Sequence, residues 1–172
     1  MAHNTIILLG LAGSGKSTLG SELASKMSLP FIDLDQAIEE KTALTIQQIF
    51  EDQGEPYFRK IESETLHEVL TLNSDIVLAT GGGTPCYFDN MELMNNSGKT
   101  IFLDVPIDKI AERLANSDLE TRPLFKGLLK AQLLQKLNKQ LEIRKQYFQK
   151  AKYTFSGEVS ADEIILGLTS SA

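Results

Sequence analysis

The apolar residues of this chain fall into short uninterrupted runs separated by longer segments of mixed polarity. Three of these runs, Thr5–Leu9, Ile76–Thr80 and Thr100–Val105, are almost free of charged residues and predict strands that are buried on both faces. Two further runs, Leu29–Asp33 and Tyr153–Phe155, are weaker candidates for strands. The pattern therefore predicts three buried strands and indicates two more.

The segments between these runs carry apolar residues four positions apart, a spacing that puts them on one face of a helix. The residues with this spacing are Leu19, Leu23 and Met27 after the first run, and Leu129, Leu133, Leu137 and Leu141 near the C-terminus. Thr45 followed by Gln48 predicts a capping box that opens a short helix through Phe50. Strands that alternate with helices predict a parallel α/β sheet covered on both faces.

Composition narrows the class of protein. No repeat, low-complexity tract or linker divides the 172 residues, so we expect one domain over residues 1–172. The formal charge is −6, from 17 Lys and Arg against 23 Asp and Glu, which disfavours nucleic acid as a partner. Cys86 is the only cysteine, which excludes an internal disulfide framework. The apolar run ending at Leu9 is too short to span a bilayer and has no basic leader. We therefore expect a cytoplasmic protein that does not bind membranes.

The strongest motif is a glycine-rich segment directly after the first predicted strand. Gly10–Thr18 reads GLAGSGKST and satisfies the phosphate-loop pattern G-x-x-x-x-G-K-[ST]. Its glycines allow backbone N–H groups to surround an anion, and the following helix adds the positive end of its dipole. Lys16 can bring its charge to the β- and γ-phosphates, and the Ser17 hydroxyl can bind Mg²⁺. The residues expected to bind nucleotide are Gly13, Ser14, Gly15, Lys16, Ser17 and Thr18.

A phosphate loop alone does not separate switches, motors and small-molecule kinases. A guanine-specific switch usually carries an N-K-x-D element, and the similar string at 138–141 lacks the acidic residue. The chain is also short for a motor ATPase, and the strand Ile76–Thr80 does not end in the acidic residue of a Walker B strand. Other carboxylates must therefore serve the metal and the substrate.

Asp33 and Asp35 are the candidates for that work. They stand two positions apart at the end of a predicted strand, so strand periodicity directs both to the same side. Ligands gather at the carboxyl ends of strands in open α/β sheets. A carboxylate there can hold a water molecule bound to Mg²⁺ or accept a hydrogen bond from a substrate hydroxyl. The alternative is a solvated turn or a helix N-cap.

Arginine is rare in this chain, with four residues against 13 lysines. Because a guanidinium group binds planar anions in a bidentate manner, each of Arg59, Arg113, Arg122 and Arg144 is a candidate for anion recognition, with a surface ion pair as the alternative. The triple glycine Gly81–Gly83 follows a predicted strand and permits close approach of backbone to a ligand, with a flexible linker as the alternative.

In this order and at this spacing, the motifs resemble those of the shikimate kinase family over about residues 5–155. The residues that carry the resemblance are the phosphate loop, the D-x-D of Asp33 and Asp35, Ile49-Phe50 followed by Gly54-Glu55 and Phe58-Arg59, the triple glycine, Arg122-Pro123-Leu124, and Arg144 upstream of Tyr147.

The resemblance implies a P-loop fold of the nucleoside-monophosphate-kinase type, with three α/β/α layers, a five-stranded parallel sheet and a mobile lid at about residues 113–126. The implied reaction is the ATP-dependent phosphorylation of the 3-hydroxyl of shikimate, which gives shikimate 3-phosphate and ADP in aromatic amino-acid biosynthesis. ATP and shikimate are the implied partners and Mg²⁺ the implied cofactor. We expect the enzyme to be a monomer.

The resemblance also implies a role for each motif residue on the nucleotide side. Lys16 would hold the ATP phosphates, Ser17 would bind Mg²⁺, and Asp33 would act near the metal through water. Arg122 would arrive from the lid to neutralise charge on the phosphates. Lys16 and Arg122 are thereby implied as catalytic residues, together with Asp35.

On the substrate side, Asp35 would bind shikimate hydroxyls and orient the attacking oxygen. Arg59 and Arg144 would hold the substrate carboxylate, and backbone at Gly82 would reach a hydroxyl. The rings of Phe50 and Phe58 would shape the pocket, and Glu62 would hold Arg59 in place.

Two alternatives and two departures from the family pattern stay open. The chain could be another small-molecule kinase, such as a gluconate kinase, or a nucleotide-dependent regulatory protein without catalysis. The stretch 156–160, expected beside adenine, contains no arginine, and Arg113 has no assigned role.

Overall fold

Five parallel strands form a single sheet in the computed structural model, which describes residues 4–72, 74–117 and 125–170. The strands are β1 (Ile6–Leu9), β2 (Phe31–Asp33), β3 (Val77–Ala79), β4 (Lys99–Asp104) and β5 (Tyr153–Ser156). Their order across the sheet is β2-β3-β1-β4-β5, and every neighbouring pair is parallel. All five predicted strands are confirmed, the two weaker candidates included, with ends that differ by one or two residues.

Within the described ranges, seven helices connect and cover the strands. They are α1 (Lys16–Met27), α2 (Leu34–Thr42), α3 (Ile46–Leu72), α4 (Asn90–Ser97), α5 (Ile107–Ala115), α6 (Lys130–Phe148) and α7 (Ala161–Ser170), with a 3₁₀ turn at Thr84–Cys86. Every residue of β1 and β3 is buried. Because successive strand side chains point to opposite faces, this burial requires cover on both faces of the sheet. The predicted three-layer α/β/α fold is thus confirmed.

The helical stripes read from the sequence are confirmed with one exception. Leu23 in α1 and Leu133 and Leu137 in α6 are fully buried. Leu129 is 72% exposed, because α6 begins only at Lys130 and Leu129 precedes it in an extended conformation. The expectation that Leu129 belongs to the buried face was therefore wrong.

Helix α3 has a break that separates a short first segment from a long second one. The capping box is confirmed, since Thr45 N donates to Gln48 Oε1 at 2.8 Å and Gln48 N donates to Thr45 Oγ1 at 3.2 Å. The helix continues beyond the expected end at Phe50 and is interrupted at Gly54, where φ is 80°. Arg59 lies on the second segment, after the break at Gly54, and its side chain is buried.

The strand order creates a crevice at the carboxyl ends of the central strands. β1 and β3 are neighbours, but the chain leaves β1 towards β2 on one side and leaves β3 towards β4 on the other. At such a reversal the connections diverge and leave room for a ligand outside the carboxyl ends of the strands. The phosphate loop follows β1 and the triple glycine follows β3, so both border this crevice. Among the described residues, none of the helices has the length and apolar character needed to cross a membrane.

Candidate active site

The lysine of the phosphate loop donates hydrogen bonds to the backbone of the same loop. Lys16 is 7% exposed, and its Nζ donates to the carbonyl oxygens of Gly10 at 2.9 Å and Leu11 at 2.8 Å. Helix α1 starts at this residue, so the helix N-terminus faces the same space. This loop borders a cavity of about 320 Å³, and among the residues that line it are Gly13, Gly15, Lys16, Ser17, Thr18, Asp33 and Asp35. Ser14 is buried behind the loop, where it borders a different cavity.

Asp33 joins the phosphate loop to helix α2. Its Oδ2 accepts a hydrogen bond from Ser17 Oγ at 2.5 Å, and its Oδ1 caps α2 by accepting from the N–H groups of Asp35 at 3.0 Å and Gln36 at 3.4 Å. The sequence left a role at the metal site and a role as helix N-cap as alternatives for Asp33. The two roles are compatible, because a different carboxylate oxygen is used for each.

The pair of oxygens at Ser17 and Asp33 fits a magnesium ion by its chemistry. Mg²⁺ prefers hard oxygen donors and is commonly held by one or two protein groups together with phosphates and water. The described part of the chain contains no cluster of three or more His, Cys, Asp or Glu residues that could form a complete metal cage. A nucleotide-dependent magnesium site is consistent with this donor set.

Asp35 has a different backbone setting from the expected one. It lies in the first turn of α2, not in a strand, because the chain becomes helical at Leu34. The argument from strand periodicity was therefore wrong, although Asp33 and Asp35 do border the same cavity. Solvent in the cleft reaches Asp35, whereas surrounding protein limits its hydration. This desolvation raises the pKa of Asp35 to about 6, with further contributions from the Asp33 and Glu62 carboxylates.

A second cavity of about 380 Å³ adjoins the first. It contains all six side chains or backbone positions expected to bind substrate, namely Asp35, Phe50, Phe58, Arg59, Gly82 and Arg144. The two phenylalanine rings pack against each other with their centroids 4.7 Å apart and form an apolar wall. The cavity therefore combines an apolar surface with two guanidinium groups and the carboxylates of Asp35, Glu39 and Glu62.

Arg59 is an almost fully buried cation in the wall of this cavity. It is 4% exposed, and its Nη1 donates to Glu62 Oε2 at 2.8 Å. Its Nε and Nη2 both donate to Glu55 Oε1, at 3.2 and 2.9 Å, and the Tyr87 ring lies 4.4 Å from its Cζ. Burial opposes the charge, but the two carboxylates outweigh burial and raise the pKa of Arg59. The expected contact of Glu62 with Arg59 is confirmed.

Arg144 reaches the cavity from helix α6. Its Nη1 donates to the carbonyl oxygen of Gly82 at 3.1 Å. Burial lowers the pKa of Arg144 from its usual value, and the positive charge of Arg59 adds to this effect. Two partly desolvated guanidinium groups in one cavity favour binding of an anion between them.

The two cavities meet at backbone that follows β1 and β3. Ala12, Asp35, Gly81 and Gly82 border both. A Cβ atom at Gly82 would lie 2.8 Å from the backbone N of Ala12, so only glycine allows the two loops to approach this closely. A phosphate in the first cavity and a hydroxyl in the second can therefore be adjacent.

Some residues around these cavities were not assigned from the sequence. Arg113 of α5 donates from Nη1 to the Ser14 carbonyl at 3.2 Å and pairs through Nη2 with Glu158. Both border a third cavity of about 350 Å³ behind the phosphate loop, together with Gly157 and Val159. The stretch 156–160 thus receives a guanidinium group from α5, although it has no arginine of its own.

The substrate cavity also contains Glu39, Phe125 and Gln140, which no motif indicated. Glu39 accepts a hydrogen bond from Ile46 N at 2.8 Å and so supports the start of α3. Glu39 and Gln140 stand within ordinary helical patterns, and Phe125 lies in a turn inside the expected lid range, so no sequence signal distinguishes any of the three from its neighbours.

The expected lid is described only at its ends. Residues 113–115 form the last turn of α5, and Phe125 is buried. Arg122, Pro123 and Leu124 lie outside the described residues, so the role of Arg122 stays a prediction.

Comparison with known proteins adds independent information. The family model described as "Shikimate kinase" matches residues 12–169. The chain is 44% identical to the shikimate kinase of Phocaeicola vulgatus over 158 residues, which cover 92% of this chain and 89% of the relative.

Solved structures agree with the sequence relatives. A crystal structure of shikimate kinase from Bacteroides thetaiotaomicron superposes with a TM-score of 0.89 at 38% identity, covering 98% of each chain. Shikimate kinase from Acinetobacter baumannii in complex with shikimate gives a TM-score of 0.90 at 32% identity, covering 98% of this chain and 94% of that one. The expected P-loop fold of the nucleoside-monophosphate-kinase type is thereby confirmed, and this chain belongs to the shikimate kinase family.

Proposed function

We propose that this protein transfers the γ-phosphoryl group of ATP to the 3-hydroxyl of shikimate, giving shikimate 3-phosphate and ADP, in aromatic amino-acid biosynthesis. The observation that supports this most directly is the junction of two cavities at Asp35, Gly81 and Gly82. One cavity has the chemistry of a phosphate site, and the other has the groups that a hydroxylated carboxylic acid requires.

On the nucleotide side, backbone N–H groups from Gly13 to Thr18 and the Lys16 ammonium group hold the phosphates. Ser17 and Asp33 would hold Mg²⁺, which when bound neutralises phosphate charge and orients the transferred group. The hydrogen bond of 2.5 Å between Ser17 and Asp33 supports this assignment, because it keeps both oxygens at the mouth of the loop.

On the substrate side, the carboxylate of shikimate binds between Arg59 and Arg144. Their burial favours this pairing, since desolvated guanidinium groups gain more from an anion than exposed ones do. Phe50 and Phe58 contact the ring of the substrate, and backbone at Gly82 contacts a hydroxyl group. The opposite end of the substrate then faces Asp35.

Asp35 orients the 3-hydroxyl and accepts its proton. As the oxygen attacks the γ-phosphorus, the bond to the β,γ-bridging oxygen breaks and ADP leaves. A pKa of about 6 leaves the carboxylate mostly ionised at neutral pH, so it can accept a hydrogen bond and the proton. Positioning and electrostatic stabilisation supply most of the catalysis in such reactions.

The role of Arg122 and the remaining expectations are based on the family resemblance. We propose that Arg122 brings a third guanidinium group to the phosphates from the lid at 113–126, and that lid closure limits transfer to water. A monomer in the cytoplasm, without nucleic acid or membrane partners, stays our prediction.

The proposed function is tested by a coupled assay of ADP release with shikimate, gluconate and nucleoside monophosphates side by side. We expect turnover with shikimate and at most a trace with the others. Preferential turnover of gluconate would replace the proposed substrate, and binding of ATP without ADP release from any acceptor would indicate a regulatory protein.

The Arg59→Lys variant supplies a matched test of the substrate site, because lysine keeps the charge and loses the planar bidentate geometry. We expect the KM for shikimate to rise about tenfold or more while the KM for ATP changes little. Equal changes in both KM values would contradict the assignment of Arg59 to shikimate.

A further inference from the structure

A buried hydrogen bond continues the arginine network beyond Glu62. Glu62 is fully buried, and its two carboxylate oxygens have different partners: Oε2 accepts from Arg59 Nη1 at 2.8 Å, and Oε1 accepts from Thr84 Oγ1 at 2.6 Å. Thr84 is fully buried as well and lies just after the triple glycine. The Thr84 hydroxyl is the only described donor to Glu62 Oε1.

The same threonine is held from its other side. Its carbonyl oxygen accepts from Asn90 Nδ2 at 2.9 Å, and Asn90 Oδ1 accepts from Ser63 Oγ at 2.6 Å. Ser63 adjoins Glu62 on helix α3, so these contacts form a closed ring of Glu62, Thr84, Asn90 and Ser63. Three of its four members are fully buried, and the ring therefore connects α3 to the segment that follows β3.

This ring lies next to both arginines of the substrate cavity. A Cβ atom at Gly83 would lie 2.7 Å from Arg59 Nη2, so the residue before Thr84 packs directly on the guanidinium group. The preceding residue, Gly82, accepts the hydrogen bond from Arg144. A change in the position of Thr84 would therefore alter the positions of both guanidinium groups assigned to the substrate carboxylate, those of Arg59 and Arg144.

We propose that Thr84 is a positioning residue for the carboxylate-binding site, acting through Glu62 on the orientation of Arg59. The proposal deepens the proposed function and rests on its assignment of Arg59 to the substrate carboxylate. Thr84 contributes through its hydroxyl group: the hydroxyl stabilises one rotamer of the Glu62 carboxylate, and that rotamer directs Oε2 to Arg59.

The physical reason is the cost of an unpaired oxygen in a buried carboxylate. A hydrogen bond to a charged group contributes more than one between neutral groups, and a buried acceptor without a donor is strongly disfavoured. Without the hydroxyl, Glu62 has to turn towards another donor, and Arg59 then loses its buried partner. Among the described residues, the side chains of Thr84 and Glu62 have no hydrogen bond to the phosphate loop. Thr84 N does donate to the Gly81 carbonyl at 3.2 Å, at the border of both cavities, but this backbone bond does not involve the hydroxyl group.

The test compares Thr84→Val with Thr84→Ser. Valine keeps the volume and lacks the hydroxyl, whereas serine keeps the hydroxyl and lacks the methyl group. For Thr84→Val we expect a KM for shikimate about tenfold higher, with the KM for ATP within about twofold of the original. For Thr84→Ser we expect a KM for shikimate within about twofold, together with a lower melting temperature from the lost methyl group.

Three results would overturn the proposal: an unchanged KM for shikimate in Thr84→Val, an equal rise in Thr84→Ser, or a parallel rise in the KM for ATP. If Thr84→Val does not fold, Thr84→Ala and Thr84→Ser repeat the comparison, since both shorten the side chain and only serine keeps the hydroxyl. Turnover of shikimate by the unchanged protein is measured first. Its absence contradicts the proposed function, whereas turnover without the expected difference between variants contradicts only the role of Thr84.

Discussion

Glu55 occupies the outer edge of the Arg59 guanidinium group. Its Oε1 accepts hydrogen bonds from Nε and Nη2 of Arg59 and a further one, at 3.3 Å, from the Tyr87 hydroxyl. The Glu55 side chain is 42% exposed, whereas Glu62 on the inner side of the guanidinium group is fully buried. Arg59 thus has one buried carboxylate partner, Glu62, and one partly exposed partner, Glu55, with which a substrate carboxylate has to compete.

We expect Glu55→Gln to lower the KM for shikimate about two- to fivefold. Glutamine keeps the length of the side chain and an amide oxygen near Arg59, but removes the negative charge that opposes a second anion. Initial rates at varied shikimate check this, with Glu64→Gln as the control, since Glu64 is an exposed residue of α3 paired with Lys60 at 3.9 Å. A higher KM in Glu55→Gln would show that Glu55 orients Arg59 rather than competing with the substrate.

Asp35→Asn is expected to lower kcat about a thousandfold while ATP binding stays within about threefold. Asparagine retains the size of the side chain but cannot take up a proton from the substrate hydroxyl. Turnover is measured by ADP release and nucleotide affinity by calorimetry. Undiminished turnover in this variant would remove Asp35 from the mechanism.

The elevated pKa of Asp35 predicts the pH dependence of the reaction. Since the ionised carboxylate is the active form, kcat/KM for shikimate should fall about tenfold per pH unit below about 6 and level off above it. The limited hydration of Asp35 in the cleft favours the neutral carboxyl group, so the fall in activity begins at a higher pH than for an ordinary aspartate. Rates between pH 5 and 8 check this, and the residual activity of Asp35→Asn should lack the limb. A flat profile in the unchanged protein would contradict the assignment.

Asp33 allows its two roles to be separated by a pair of substitutions. Asparagine is a good N-cap, so Asp33→Asn should keep α2 stable but require several-fold more Mg²⁺ for half-maximal activity. Asp33→Ala should show the same Mg²⁺ requirement and also lose about 1 kcal/mol of stability from the missing cap. Magnesium titrations and thermal unfolding measure the two effects. A normal Mg²⁺ requirement in both variants would leave Asp33 as a cap only.

Gly83→Ala tests the contact between the triple glycine and Arg59. The backbone at Gly83 has φ −105° and ψ −11°, which alanine tolerates, so the effect should come from the added methyl group. That group would lie 2.7 Å from Nη2 and 2.9 Å from Cζ of Arg59. We expect the KM for shikimate to rise about tenfold with little change in the KM for ATP. Similar changes in both constants would point to a general disturbance of the crevice.

The predictions made from the sequence were most accurate where the signal is local. The five strands, the place of the glycine-rich loop between β1 and α1, and the capping box at Thr45 depend on residues close together in the chain, and all three are confirmed. The error at Asp35 has a local cause too: Asp33 caps a helix that begins at Leu34, so strand periodicity ends at Asp33 and does not extend to Asp35. Leu129 has the four-residue spacing of the buried stripe, but it lies before Lys130, the first residue of α6.

The sequence by itself determined the fold class, the nucleotide loop and most of the residues around the substrate cavity, because each of these has a recognisable pattern of neighbours. Apart from the pair of Arg59 and Glu62, which the family resemblance implied, the tertiary structure decided the partners of the buried polar residues. Thr84 meets Glu62 across 22 positions, and Arg113 meets Ser14 across 99. Such contacts depend on how strands and helices pack, and a buried charge takes its partner from whichever element the packing brings near.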